Sequence, residues 1–274
     1  MRLIHTVLEL RTALGERQDI RFVPTMGNLH EGHLSLVRGA RESAGLVVAS
    51  IFVNPLQFAP HEDFAKFPRT LERDCELLEG AGCDLVFAPS SPEMYPEEQR
   101  YTVHPPAQLS DLLEGAVRPG FFTGVCTVVL KLFNIVRPCS AAFGKKDYQQ
   151  LRVIQAMVRQ LALPIQIIEG ETVRSADGLA LSSRNGYLSK PERVQAVQLY
   201  DTLRGVANHV RSGRTDWPEM EREGVESLRG RAWQPDYVAI RESTHVGAPA
   251  PGQPLVVLGA ARLGTTRLID SLEI

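Results

Sequence analysis

The sequence predicts an α/β protein, with a doubly wound parallel sheet in residues 1–175 and a smaller α+β domain in residues 176–274. Three observations predict it. Apolar runs of strand length alternate with helical patterns from Ile20 to Ile168, the rhythm of a doubly wound sheet. Leu46 to Val53 is apolar apart from Ser50, as a strand buried on both faces must be. After about residue 175 the order changes to helices followed by short strands, with Gly/Pro-rich connections, as in an α+β domain.

Taken in order, Val7, Leu10 and Leu14 stand at helical spacing and predict a short surface helix over residues 6–16. The β-rich run Ile20 to Pro24 turns through Thr25-Met26-Gly27 into a helical pattern. Leu34, Val37, Ala40 and Ala44 keep one face of that pattern apolar, and Gly45 fits its carboxyl end. The buried strand 46–53 then runs into a polar loop, Asn54-Pro55-Leu56-Gln57-Phe58. Leu71, Leu77, Leu78 and Ala81 predict a helix that stops at Gly82, and residues 84–89 the next strand. Residues 90–122, rich in Pro, Gly and Glu, predict loops with one short helix near Leu109 to Leu113.

Val125 to Val136 reads as a largely apolar helix, 141–143 as a short strand, 151–161 as a helix and 165–168 as a strand. In the second domain one helix starts near Pro191 and runs to about Val210, and another covers roughly 218–228. Residues 237–240, 255–258 and 267–269 are short strands.

Composition excludes several classes of function. At 43% apolar and 23% charged, the 274 residues are ordinary for a soluble globular protein. A formal charge of −2 lacks the basic excess of nucleic-acid or membrane-surface binders, so neither partner is expected. No apolar run approaches a bilayer span, and no secretory signal pattern is visible. The four cysteines (75, 83, 126 and 139) show no CxxC or zinc-ligand spacing and read as reduced apolar residues of a cytoplasmic protein. Histidines 5, 61, 104, 209 and 245 form no functional group.

The chemistry gathers in three loops at strand carboxyl ends, 24–33, 54–57 and 144–150, where open α/β sheets take their ligands. In Met26-Gly27-Asn28-Leu29-His30-Glu31-Gly32-His33 a strand leads into a helix start whose free backbone N–H groups and dipole favour an anion. Gly27 and Gly32 admit a ligand close to the backbone, and His30 and His33 can donate to it from one side of the helix. The bland reading is two surface histidines, and a shared metal is a third option, without a familiar Glu, Asp or Cys spacing beside it.

Gly144-Lys145-Lys146-Asp147 reads either as a solvated charged loop or as a nucleotide loop in which Lys146 reaches phosphate and Asp147 caps a helix or binds ribose. Leu181-Ser182-Ser183-Arg184 is either a plain turn or a triphosphate clamp. No P-loop, Gly-x-Gly-x-x-Gly or Gly-x-Ser-x-Gly motif is present. The residues alone describe a nucleotide-binding α/β enzyme that works through cationic groups.

Four segments together, Pro24 to His33, Ile51 to Phe58, Phe143 to Gln150 and Asp177 to Asn185, resemble the pantoate–β-alanine ligase family. The likeness runs in order over nearly the whole chain, through Ala261 to Asp270. It implies a Rossmann-like amino-terminal domain, a homodimer, and ATP, Mg²⁺, pantoate and β-alanine as ligands. The implied reaction forms pantoyl adenylate and pyrophosphate, then pantothenate and AMP.

The resemblance also implies residue roles. Met26, Gly27, Asn28, Leu29, His30, Glu31, Gly32, His33, Gly144, Lys145, Lys146, Asp147, Val173, Leu181, Ser182, Ser183 and Arg184 would bind ATP. His33, His30, Lys146 and Arg184 would serve catalysis, His33 in the chemistry and His30 in holding the nucleotide. Gln57 and Gln150 would hold pantoate, with Gln57 also near β-alanine, and no protein ligand for Mg²⁺ is assigned. The chain departs from the family pattern at Lys145 and Ser175, where acidic residues are usual, at Leu181 for Met and at Phe67 for Tyr. Another nucleotidyltransferase with the His-x-Gly-His motif is the rival enzyme, and a nucleotide-sensing protein without turnover is the rival outside enzymes.

Overall fold

The computed structural model of the chain describes residues 1–59 and 63–274, so His61 lies outside the described residues. The chain divides into two compact units, each discontinuous in sequence. The first comprises Met1–Pro106, Arg118–Gly144 and Val153–Gly170; the second comprises Ala107–Val117, Lys145–Arg152 and Glu171–Ile274.

The first unit is the doubly wound α/β layer predicted from the sequence. Its strands are β1 (Arg2–Ile4), β2 (Ile20–Thr25), β3 (Leu46–Ile51), β4 (Leu85–Phe87), β5 (Ser140–Gly144) and β6 (Gln166–Gly170). They are parallel throughout, in the order β1-β4-β3-β2-β5-β6. Helices cover both faces. On one, Glu31–Glu42 and Leu71–Gly80 set Leu34, Val37 and Leu78 against Val23, Val47, Ala49 and Val86. On the other, Phe121–Val136 puts Phe133 edge-on to Phe22 and Phe143. Phe22 and Val23 thus serve opposite faces, as neighbours on a strand must.

The strand order reverses at β2, which has β3 and β4 on one side and β5 and β6 on the other. β2 pairs with β3 from Ile20 through Thr25, but with β5 only at Arg21 and Phe22. Pro24, which has no N–H for a ladder, lies just past that parting. The carboxyl ends of β2 and its neighbours therefore open at the switch point, where doubly wound sheets take ligands.

The second unit is built on the antiparallel sheet β7 (Gln234–Glu242), β8 (Leu255–Leu263) and β9 (Thr266–Glu273), with β8 in the middle. Helices Val197–Arg211 and Trp217–Arg229 bury Leu199, Leu203, Met220 and Leu228 with Trp233, Val257 and Leu268. A second cluster joins Leu113 and Tyr148 to Ala239, Val256 and Leu258. That cluster draws residues 107–117 and 145–152 into this unit. Arg267 reinforces it, bonding Glu114 at 2.7 and 2.8 Å and Asp236 at 2.7 Å, while the Tyr237 hydroxyl donates to Glu114 at 2.7 Å.

Several expectations need correction. Arg2–Ile4 is a strand, too short to announce itself by alternation. Residues 90–122 hold short helices at Ser91–Met94, Ala107–Ser110 and Glu114–Val117, not one at 109–113. The apolar helix starts at Phe121 rather than Val125, with Gly120 before it in the left-handed region (φ 82°). The helix expected from Pro191 to Val210 is two, Lys190–Gln195 and Val197–Arg211, meeting at the buried Ala196. Gly45 does not close the first long helix, whose cap is Ser43. It is glycine because its φ is 139° and a Cβ there would lie 2.2 Å from the Asp19 carbonyl oxygen. All four cysteines are free thiols, and burial pushes Cys83 up to about 11 and Cys126 up to about 12.

Candidate active site

In the first unit the predicted residues gather at the turn between β2 and the helix Glu31–Glu42. Thr25 donates to the Ser50 carbonyl at 2.7 Å and accepts the Gly27 amide at 3.2 Å, tying the turn to β3. Gly27 (φ 84°) and Asn28 (φ 51°) both take the left-handed conformation, which asparagine tolerates better than most residues. His30 stands before the helix as its cap, and His33 lies in its first turn. The Gly32 amide donates to His30 Nδ1 at 3.1 Å, and the His30 amide donates to His33 Nδ1 at 3.3 Å. With both Nδ1 atoms accepting, the neutral rings carry their protons on Nε2. The rings lie 4.1 Å apart, centroid to centroid. The pair is thus two Nε2–H donors of set tautomer.

Most of the amides expected to be free at this helix start are already committed. Asn28 and Leu29 donate to the two oxygens of Asp74 at 2.9 and 2.8 Å, and Thr70 Oγ1 adds a third bond at 3.0 Å. The His33 and Leu34 amides go to the His30 carbonyl at 2.8 and 3.2 Å. With Gly27, His30 and Gly32 also committed, the turn offers imidazole N–H groups in place of a backbone cradle. Asp74 is 1% exposed and was not singled out from sequence. One signal could have found it: it falls between Leu71 and Leu78 on the apolar stripe of its helix, where a carboxylate needs partners. Leu29 is buried, Met26 packs beside Gln57, and the Glu31 side chain pairs with Arg38 on the outer helix face.

Gln57 sits one strand away, in the turn after β3. Its Oε1 accepts from Asn54 Nδ2 at 3.1 Å, and its Nε2 donates to Met26 Sδ at 3.1 Å. Asn54, 1% exposed, also donates to the Gly124 carbonyl at 3.2 Å and accepts from the Tyr95 hydroxyl at 2.7 Å. Arg118 donates to the Gln57 carbonyl at 3.1 Å while its guanidinium stacks 3.8 Å from the Phe121 ring centroid. Asn54 and Tyr95 thus support Gln57 without a sequence motif of their own. The structure therefore brings Met26 to His33 and Gln57 together in the first unit, where Gly144 closes β5.

The other predicted residues belong to the second unit, where β9 organises them. β9 touches both the turn Lys145–Asp147 and the turn Ser183–Tyr187. Ser271 donates to the Lys145 carbonyl at 2.8 Å. The Lys145 side chain is clamped by Glu171 at 2.6 Å and Glu273 at 2.9 Å, and these bonds hold its ammonium well above the ordinary range. Lys146 stands 3.7 Å from Asp147, and its charge favours the anionic form of buried Asp270, which burial otherwise pushes up.

Arg174 pairs with Asp270 at 2.6 and 2.8 Å, anchoring the segment in which Val173 receives the Leu181 amide at 3.0 Å. Ser182 Oγ caps the next turn by accepting the Arg184 amide at 3.2 Å. Ser175 donates to Asp177 at 2.6 Å, and Arg193 grips the same carboxylate. The adjacent glutamines divide: Gln149, 3% exposed, bonds Leu109, Leu112 and Glu114, whereas Gln150 is half-buried and takes no part in that lacing. Among the described residues no three His, Cys, Asp or Glu side chains converge as a metal site.

Comparisons with known proteins agree along the whole chain. The family model described as pantoate-beta-alanine ligase matches residues 2–273. Pantothenate synthetase of Leptothrix cholodnii is 59% identical and that of Paracidovorax citrulli 55%, each covering 100% of both chains. Among solved structures, the pantothenate synthetase of Thermus thermophilus superposes with a TM-score of 0.95 at 48% identity, covering 100% of this chain and 99% of that one. The pantoate-beta-alanine ligase of Francisella tularensis, solved with β-γ ATP and β-alanine, gives 0.83 at 31% identity and covers 100% of this chain and 97% of its own. No helix among the described residues is long and apolar enough to cross a membrane. From β2 and its histidine turn to β9, the chain belongs to the pantoate–β-alanine ligase family.

Proposed function

We propose that the chain condenses pantoate with β-alanine at the expense of ATP. In the first half-reaction the pantoate carboxylate attacks the α-phosphorus, giving pantoyl adenylate and pyrophosphate. In the second, the β-alanine amine attacks the acyl carbon of that mixed anhydride and expels AMP, leaving pantothenate. The observation that carries this reading is the locked imidazole pair at the switch point of a chain in this family. Two N–H donors whose tautomer is set beforehand suit an α-phosphoryl group, where charge builds on the non-bridging oxygens during in-line attack. The Francisella relative, with β-γ ATP and β-alanine bound, supports the choice of ligands.

The roles follow the residue types. His33 donates to the reacting phosphoryl group and His30 holds the nucleotide, with Lys146 and Arg184 as further cationic donors. Met26 to His33, Gly144 to Asp147, Val173 and Leu181 to Arg184 bind ATP, and Gln57 and Gln150 hold pantoate. Beside Lys146 and Arg184, Mg²⁺ held by the nucleotide would supply neutralisation of phosphate charge. Homodimer assembly and a cytoplasmic location belong to the same proposal.

The test follows AMP and pyrophosphate with MgATP, pantoate and β-alanine. AMP is expected only with both organic substrates present. Omitting β-alanine should leave about one pyrophosphate per site, because the second nucleophile is missing. AMP formation independent of pantoate would overturn the reading in favour of another nucleotidyltransferase.

A further inference from the structure

We propose that Gln57 meets its ligand as a hydrogen-bond donor, and that Asn54 and Tyr95 are the positioning residues that hold it in that sense. The inference deepens the function proposed above and rests on its assignment of Gln57 to pantoate. Its strength is that the polarity is anchored by backbone groups, which cannot exchange donor for acceptor.

The Leu56 amide donates to Asn54 Oδ1 at 3.3 Å, and the Gly124 carbonyl accepts from Asn54 Nδ2 at 3.2 Å. A flipped Asn54 would set N–H against N–H and oxygen against oxygen, in a site only 1% exposed. The amide therefore has one orientation. Gly124 lacks a side chain for a related reason, since a Cβ there would lie 2.1 Å from the Leu56 carbonyl oxygen.

From that anchor the sense runs outward. Tyr95 must donate to Oδ1, which it does at 2.7 Å, and burial keeps its phenol protonated by raising it above the ordinary range. Asn54 Nδ2 must donate to Gln57 Oε1, at 3.1 Å. Gln57 Oε1 thereby faces Asn54 and keeps one further lone pair, and the sense of the amide sets its amino end as the donor. One of its hydrogens reaches Met26 Sδ at 3.1 Å, a weak acceptor, and the other is left for a ligand lone pair. A pantoate hydroxyl at the Gln57 amino end is thus held through its oxygen.

Two variants read this lock. Asn54→Asp keeps the contacts to Leu56 and Tyr95 but turns a lone pair toward Gln57 Oε1, driving that amide to reverse. Tyr95→Phe removes one donor and leaves the backbone anchor. Steady-state kinetics and calorimetric titration of pantoate should show KM and Kd for pantoate raised about thirtyfold or more in Asn54→Asp, and about five- to tenfold in Tyr95→Phe, the loss of one neutral hydrogen bond. KM for MgATP should stay within about threefold in both, since Asn54 and Tyr95 bond no residue assigned to the nucleotide.

Unchanged pantoate constants in Asn54→Asp, or a parallel rise in KM for MgATP, would overturn the proposal. A ligand-free measurement keeps it separate from the question of substrate. The Gln57 side-chain amide resonances, identified by their loss in Gln57→Met, should shift in Tyr95→Phe. An unshifted pair refutes the lock whatever the enzyme acts on, whereas wild-type protein that forms no AMP with pantoate refutes the proposed function alone.

Discussion

The carboxylate of Asp74 receives the amide of Leu29 at 2.8 Å, across 45 residues of sequence. Its other oxygen takes the Asn28 amide, so a helix on one side of β3 shapes the turn that presents two imidazoles. Asp74→Asn keeps the volume and one acceptor but faces an amide N–H with an amino group. Loss of about 1–3 kcal/mol of stability is expected by urea denaturation, together with a fall in kcat/KM for MgATP of about a hundredfold as the histidines lose their setting. Wild-type values for both would mean that the turn holds itself.

Gly27 has a steric and a conformational reason to stay glycine. A Cβ would lie 3.0 Å from both Asp74 Oδ2 and Ile51 Cγ2, at a φ of 84°. Gly27→Ala should cost about 1–3 kcal/mol in chemical denaturation and impair turnover with it, because the strain is relieved only by moving the turn. A fully active, equally stable variant would contradict the geometry.

The two lysines after β5 should separate in kinetics. Lys145 spends its charge on Glu171 and Glu273, whereas Lys146 approaches Asp147 no nearer than 3.7 Å. Lys146→Ala should lower kcat about a hundredfold, as for a lost transition-state donor, while Lys145→Ala should stay within about threefold. Equal losses would show that the Lys145 charge also serves the phosphates.

Acid should loosen the second unit through Glu273. Its partial burial works against ionisation, but hydrogen bonds from Lys145 and Tyr148 prevail and hold the carboxyl below the ordinary range. A lowered folded value contributes stability above the unfolded value, near pH 4, and that stability is lost as pH falls through the folded one. At 42% side-chain exposure the contribution is under about 1 kcal/mol. Denaturation midpoints of wild type and Glu273→Gln should converge as pH drops from 6 to 3; a constant gap would assign the effect elsewhere.

Nitrogen-15 spectra of the imidazoles provide an independent check. At neutral pH both His30 and His33 should show the proton on Nε2 and a pyridine-like Nδ1, because each Nδ1 accepts a backbone amide. The opposite tautomer at either ring would dissolve the donor pair.

How much was legible follows from the reach of each signal. β3 declared itself because six adjacent residues must all suit a buried strand, and the predicted layer order followed from such runs. Arg2–Ile4 did not, since three residues carry no period. The histidine turn was visible as a motif, yet its amides were misjudged, because Asp74 lies 46 residues from Asn28 and no local rule connects them. Asn54 stood in plain view beside Gln57, but its partner Gly124 is 70 residues away and has no side chain to mark it. Lys145 reads from sequence as a charge reversal at an ATP-binding position; the two carboxylates that absorb it stand 26 and 128 residues further on.

That last separation has a consequence in time. A chain made from its amino end produces the Lys145–Asp147 turn long before β9, and 128 residues must follow before Glu273 exists to hold it. The sheet of the first unit, whose last strand ends at Gly170, has all its strands by then. During synthesis the sheet of the first unit can therefore form while the Lys145–Asp147 turn still lacks its β9 partner.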